Sequence, residues 1–235
     1  MGDVSGADGG IELPQFDAVL FRGGTASAVG MDGIAVERRS LGFIDVADGR
    51  VYACDPLVPM DSAPLSHRLE PGRYEVVLFV LVGTRHGAAG ERMECNAAAA
   101  IVCSSAKPEQ WKLAAREGGA PDDAAYGVDS GTGGFMGSRA IELLLEADET
   151  AAQLIISALE QTSGAIVTVA DGAAAAAFTS GVGDGVYDTW LGLGSRDEVA
   201  MILTDFDVLK SEEYVAEVHV KWAARKSKKW WQFWK

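Results

Sequence analysis

Apolar and polar positions change places every few residues along most of the chain, and the dominant period is two. That period marks strands, because successive side chains leave a strand on opposite faces. Candidate strands are Ala18–Phe21, Gly33–Arg38, Leu41–Val46 and Arg50–Cys54. Asp48-Gly49 separates the last two and is a hairpin signal. Tyr74–Val82 follows the Pro71-Gly72 turn and is almost continuously apolar, the pattern of a strand buried on both faces. Glu91–Cys103 suits its long partner, and Gln110–Ala115 and Tyr126–Asp129 are shorter strands. Beyond the Gly-rich Asp129-Ser130-Gly131-Thr132-Gly133-Gly134 the period lengthens to that of a helix. Ser138 suits the N-cap of a helix over Arg139–Glu146, and Asp148 or Thr150 that of a second, with Ala151, Leu154, Ile155, Ala158 and Leu159 on one face. Strands resume at Ala165–Ala170 and Ala174–Ser180. A Gly/Asp-rich loop then leads to Val199–Phe206 and Tyr214–Trp222, the latter with Ala216, Val218, Val220 and Trp222 on one face. These elements predict a mainly β (α+β) fold, an antiparallel β-sandwich or barrel with one or two helices inserted around residues 138–161.

Charge divides the chain further. The formal net charge is −14, yet Lys221–Lys235 hold six basic residues and no acid, so the first 220 residues carry 14 basic against 34 acidic residues, a net −20. We therefore expect a disordered Gly-rich N-terminus (1–10), one β-rich domain (11–222) and a cationic Trp-rich tail (223–235). The acidic body repels phosphate, so nucleic acid is not an expected partner. No run approaches the ~20 apolar residues of a membrane span, and the N-terminus lacks the basic and apolar regions of a signal peptide. Cys54, Cys95 and Cys103 have no CxxC spacing and read as reduced core thiols of a cytoplasmic protein.

Candidate chemistry sits in the glycine-rich segments. The 129–134 loop would present backbone N–H groups to an anion, but the P-loop lysine and the GxGxxG spacing are missing, so a structural turn is the better reading. Ser130 and Thr132 become nucleophiles only if a base converges on them. Gly181–Asp188 and the Asp205/Asp207 pair bring carboxylates of the kind that hold hard cations, without the EF-hand spacing. The catalytic candidates are thus Asp129, Ser130, Thr132, Asp184 and Asp205. The metal candidates are Asp184 and Asp205, with Asp55 or Asp129 brought in by folding. No cofactor is expected beyond such a divalent cation. His67, His86 and His219 are widely spaced and show no metal-ligand periodicity, and the cysteines lack basic neighbours that would activate a thiol.

On a helical wheel the tail sorts into a basic line, Lys221, Arg225, Lys228 and Lys235, and an aromatic side, Trp222, Trp230, Trp231, Phe233 and Trp234, with Lys226 and Lys229 at the border. That is an interfacial amphipathic pattern. It suits self-association, docking on another protein, or peripheral contact with the inner membrane.

Five segments in order, Val51–Leu57, Pro71–Val76, Tyr126–Gly133, Ser180–Tyr187 and Thr204–Phe206, resemble the bacterial family named domain of unknown function 4241. The resemblance runs from roughly Gly33 to Leu209 and leaves the tail outside. The acid that the family pattern places a few residues beyond the Gly-Thr-Gly loop falls near Gly137 here and is missing. The resemblance carries no established activity. The expectation is a non-enzymatic cytoplasmic protein of the accessory or immunity type, whose acidic surface covers a basic target. The alternatives are a hydrolase or metal-dependent enzyme built on Asp129, Asp184 and Asp205, and a peripheral membrane protein held by its tail.

Overall fold

The computed structural model describes residues 14–60, 62–88, 90–146 and 149–227, with 222–227 described by backbone alone. The expected disorder of residues 1–10 and the Asp148 cap lie outside the described residues. Helix α1 (Gln15–Phe21) precedes β1 (Met31–Val46), β2 (Val51–Cys54), β3 (Gly72–Arg85), β4 (Arg92–Val102), β5 (Gln110–Leu113), β6 (Ala125–Val128) and β7 (Thr132–Gly137). Then come α2 (Ser138–Glu146), α3 (Glu149–Leu159), β8 (Gly164–Ala170), β9 (Ala173–Thr179), β10 (Gly185–Leu193), β11 (Val199–Asp205) and α4 (Glu212–Ser227).

The strands form two packed antiparallel sheets, a sandwich and not a closed barrel. The larger runs β1-β3-β4-β11-β10-β5, with β6 pairing the outer part of β10; the smaller runs β2-β7-β9-β8. Val76–Leu81 of β3 are buried throughout, as their unbroken apolar run requires, and β3 pairs with β4 along nearly its whole length. Alanines fill β4 (Ala97–Ala100) and β9 (Ala175–Ala177) at zero exposure, which lets the layers approach closely. Helices α2 and α3 cover the outer face of the smaller sheet. Ala140, Ile141, Leu144, Ala151 and Ile155 close a second core there with Met136, Val167, Ala175 and Ala177. The helices lie where the 3.6-residue period puts them. Among the described residues no helix is long and apolar enough to cross a membrane.

Four local expectations are corrected. Ala18–Phe21 belongs to α1, not a strand. Phe16 and Asp17 are buried by it, and Asp17 accepts hydrogen bonds from Trp111 Nε1 (2.8 Å) and Arg22 Nε (3.0 Å). Tyr214–Trp222 belongs to α4: Ser211 Oγ accepts the Tyr214 amide at 3.2 Å, and Glu212 and Glu213 favour the helix N-terminus. Its apparent alternation is idle, since Val215 is buried while Val220 is 69% exposed. Asp48-Gly49 does turn the chain, with Asp48 accepting the Arg50 amide, but β1 pairs with β3 and β2 with β7, so the flanking strands enter different sheets. Finally, part of the Gly/Asp-rich loop before Val199 is β10, a strand paired on both edges.

Candidate functional site

The site begins with Asp55, where β2 ends and Pro56 stops the strand. Its carboxylate is buried and accepts four hydrogen bonds. Oδ1 takes the Leu57 amide (2.9 Å) and the Ser130 hydroxyl (2.8 Å); Oδ2 takes the amides of Asp129 (3.1 Å) and Ser130 (2.9 Å). One side chain thus ties the β2 turn to the glycine-rich loop. Gly131 O accepts the Ser180 amide, and Ser180 Oγ donates to Gly183 O at 2.8 Å. Tyr187 Oη reaches Gly183 O (2.7 Å) and Ser180 O (3.2 Å), holding the third loop closed. Three separate glycine-rich or turn segments therefore meet at one end of the sandwich.

Beyond Asp129 the chain does not stay a loop before a helix. Thr132–Gly137 form β7, every residue buried, running between β2 and β9. The glycines are needed for closeness: a Cβ on Gly133 would lie 2.7 Å from Phe178 and 2.8 Å from Tyr126 Oη. The turn reading therefore holds only for the start of this segment.

Each candidate residue has a definite place. The Ser130 hydroxyl is committed to Asp55. Thr132 is buried, with its Oγ1 3.5 Å from Ser130 O. Asp129 and Asp184 are exposed at the tips of the meeting loops. Asp205 closes its own turn, Oδ1 accepting the Asp207 amide at 3.1 Å; burial pushes its carboxyl up to about 6, against that hydrogen bond. Asp184 and Asp205 belong to none of the described groups of three or more His, Cys, Asp and Glu whose ligand atoms lie within 4.8 Å of one another. Of the tail, Trp222, Arg225 and Lys226 lie on the backbone of α4; Lys228, Lys229, Trp230, Trp231, Phe233, Trp234 and Lys235 lie outside the described residues.

A cleft of about 320 Å³ opens beside Asp55, lined by Cys54, Met60, Arg116, Tyr126 and Asp129 among others. Arg116 pairs with Asp123 at 2.6 Å. Cys54 offers no nucleophile, because burial pushes its thiol up to about 12, and Tyr126 is likewise pushed up by burial. Sequence reasoning missed Arg116 and the central role of Asp55. The signal for Asp55 was its position, an acid between a strand and a proline.

The outer face of this end is apolar and acidic. In the β6–β10 pair, Tyr126 and Tyr187 lie opposite each other and are buried, so Gly127 and Val186 share the outward face. Val186 is 74% exposed and Val182 84%, with exposed Asp184 and Asp188 between and beside them. Met60, at the rim of the cleft, is 72% exposed.

Compared with known proteins, residues 44–204 match one family model, described as a protein of unknown function (DUF4241). No curated protein and no solved structure matches the chain.

Proposed function

The chain belongs to the DUF4241 family, and we propose that it is a non-enzymatic domain that binds a basic protein through the loop end of the sandwich. The observation that carries this reading is the exposed start of β10 and the turn before it, where Val186 on the strand and Val182 in the turn stand beside exposed Asp184 and Asp188 inside the family-matched region. Exposed apolar side chains rimmed by polar ones suit a surface that a partner covers. The acids around it steer a basic partner and suppress acidic ones. The groups that a hydrolase would use are occupied with structure: Ser130 is held by Asp55, Cys54 is buried, and Asp205 bonds its own turn. Free cysteines suit a reducing compartment, so we place the protein in the cytoplasm.

Affinity purification from the source cells, with quantitative mass spectrometry, tests this. The wild-type chain should recover a basic protein that Val182→Asp/Val186→Asp and Asp184→Lys/Asp188→Lys both lose, while their melting temperatures stay near wild type. Recovery unchanged in both variants overturns the proposal.

A further inference from the structure

Two of the chain's three histidines meet outside the Asp55 site. Asp32 is the second residue of β1, His86 lies in the turn after β3, and His219 comes from α4, yet one ligand atom from each lies within 4.8 Å of the other two. His86 Nδ1 is 2.9 Å from both carboxylate oxygens of Asp32. The imidazole of His219 stacks on that of His86, with centroids 3.5 Å apart and planes 10° apart. Gly30 places both: its carbonyl accepts the His86 amide at 2.9 Å, and its amide donates to His219 Nε2 at 3.2 Å. A cleft of about 260 Å³, lined by Asp32, Glu212 and His219, opens beside the group.

We propose that Asp32, His86 and His219 form a binding site for a divalent transition-metal ion of the Zn²⁺ class, open to solvent on the cleft side. Two imidazoles and one carboxylate are the donor set such ions take, whereas Mg²⁺ and Ca²⁺ prefer oxygen throughout. The 2.9 Å separation of His86 Nδ1 and Asp32 needs to open by only about 0.5 Å to reach the ~3.4 Å between adjacent ligands of a tetrahedral ion with bonds of ~2.1 Å. The ion takes the place of the proton between them, which leaves to solvent. A lone pair lies in its ring plane, and parallel planes do not converge, so one ring turns on binding. The turning ring is that of His219, because α4 buries only Val215 among its described side chains. Its Nε2 lone pair now accepts the Gly30 amide, and the ion takes that lone pair instead. The site therefore joins the helix that leads into the cationic tail to the acidic body.

The test uses the full chain, freed of metal by chelator and dialysis. Zinc chloride titrated calorimetrically at pH 7.5 should bind one equivalent, and magnesium chloride none. His86→Gln, His219→Gln and Asp32→Asn, all at partly exposed positions, should each weaken zinc at least about tenfold while the metal-free chain stays folded by circular dichroism. Zinc should also shift the Gly30 amide resonance in the wild type and not in His219→Gln. Zinc affinity unchanged in His86→Gln and His219→Gln, or a cobalt spectrum with a thiolate-to-metal band, overturns the proposal. Neither result bears on the partner surface at the loop end.

Discussion

At the scale of single residues, the carboxylates divide by what surrounds them. Asp55 is buried but fully supplied with donors, so its charge is compensated. Asp205 has one backbone donor and a half-buried place, and burial pushes it up to about 6. The sign of the resulting pH dependence follows. Between pH ~4 and 6 the native state holds a proton that the unfolded chain has released, so this group's contribution is full below its unfolded value near 4 and is lost as pH rises through 6. Asn in its place keeps an oxygen for the Asp207 amide and removes the titration. Asp205→Asn should therefore be more stable than wild type at pH 7.5, by at most about 3 kcal/mol, and indistinguishable at pH 4. Chemical denaturation at the two pH values checks this; equal stabilities at both would show that Asp205 is solvated after all. None of this was legible in the sequence. Asp129 and Asp184 sit in Asp/Gly contexts and Asp205 in Thr204-Asp205-Phe206-Asp207, none of which fixes burial, and only the fold separates two exposed tips from a half-buried turn.

At the scale of elements, periodicity identified the strands that bury one or both faces, and it failed where a local signal competed. The β10 segment contains Tyr187, Thr189, Leu191 and Leu193 pointing inward at spacing two, but glycines at its start and Asp188 on its outer face imitate a loop. In α4 the reverse holds: a strand-like alternation is overruled by the Ser211 cap and the acidic first turn. The meeting of His86 and His219 depends on that helix, so a strand over Tyr214–Trp222 hides the cluster as well. The glycines of β7 mislead for a further reason. They look like turn residues but serve close packing, since a Cβ on Gly137 would lie 2.6 Å from the Asp45 carbonyl oxygen of β1. A backbone atom cannot step aside as a side chain can. Gly137→Ala should cost about 2 kcal/mol of stability by overpacking. Gly127→Ala, on the outward ribbon with nothing within 4 Å of the new methyl, should cost well under half of that. Equal melting temperatures for the two variants would refute this account of β7.

For the whole molecule, the decisive asymmetry is a net −20 over the first 220 residues against six basic residues in the last fifteen. α4 runs from Glu212 to Ser227, so the tail begins within a helix held by Val215 and by the His219–Gly30 hydrogen bond. Both anchors precede residue 223. Removing Ala223–Lys235 therefore leaves the packed body intact, and its stability should change by no more than about 0.5 kcal/mol. The tail's own attraction to an anionic surface is additive, at ~1 kcal/mol for each basic side chain near the lipid. Repulsion from the body fades over ~8 Å at physiological salt. In a sedimentation assay the full chain should pellet with anionic vesicles at low salt and be released as salt rises, while the truncated chain stays in solution. Equal pelleting of the two chains would move the contact onto the body, where exposed Val182 and Val186 are the next apolar surface to test. If neither chain pellets, the aromatic side of the tail is left to protein surfaces, and the same truncation then belongs in the partner-recovery experiment.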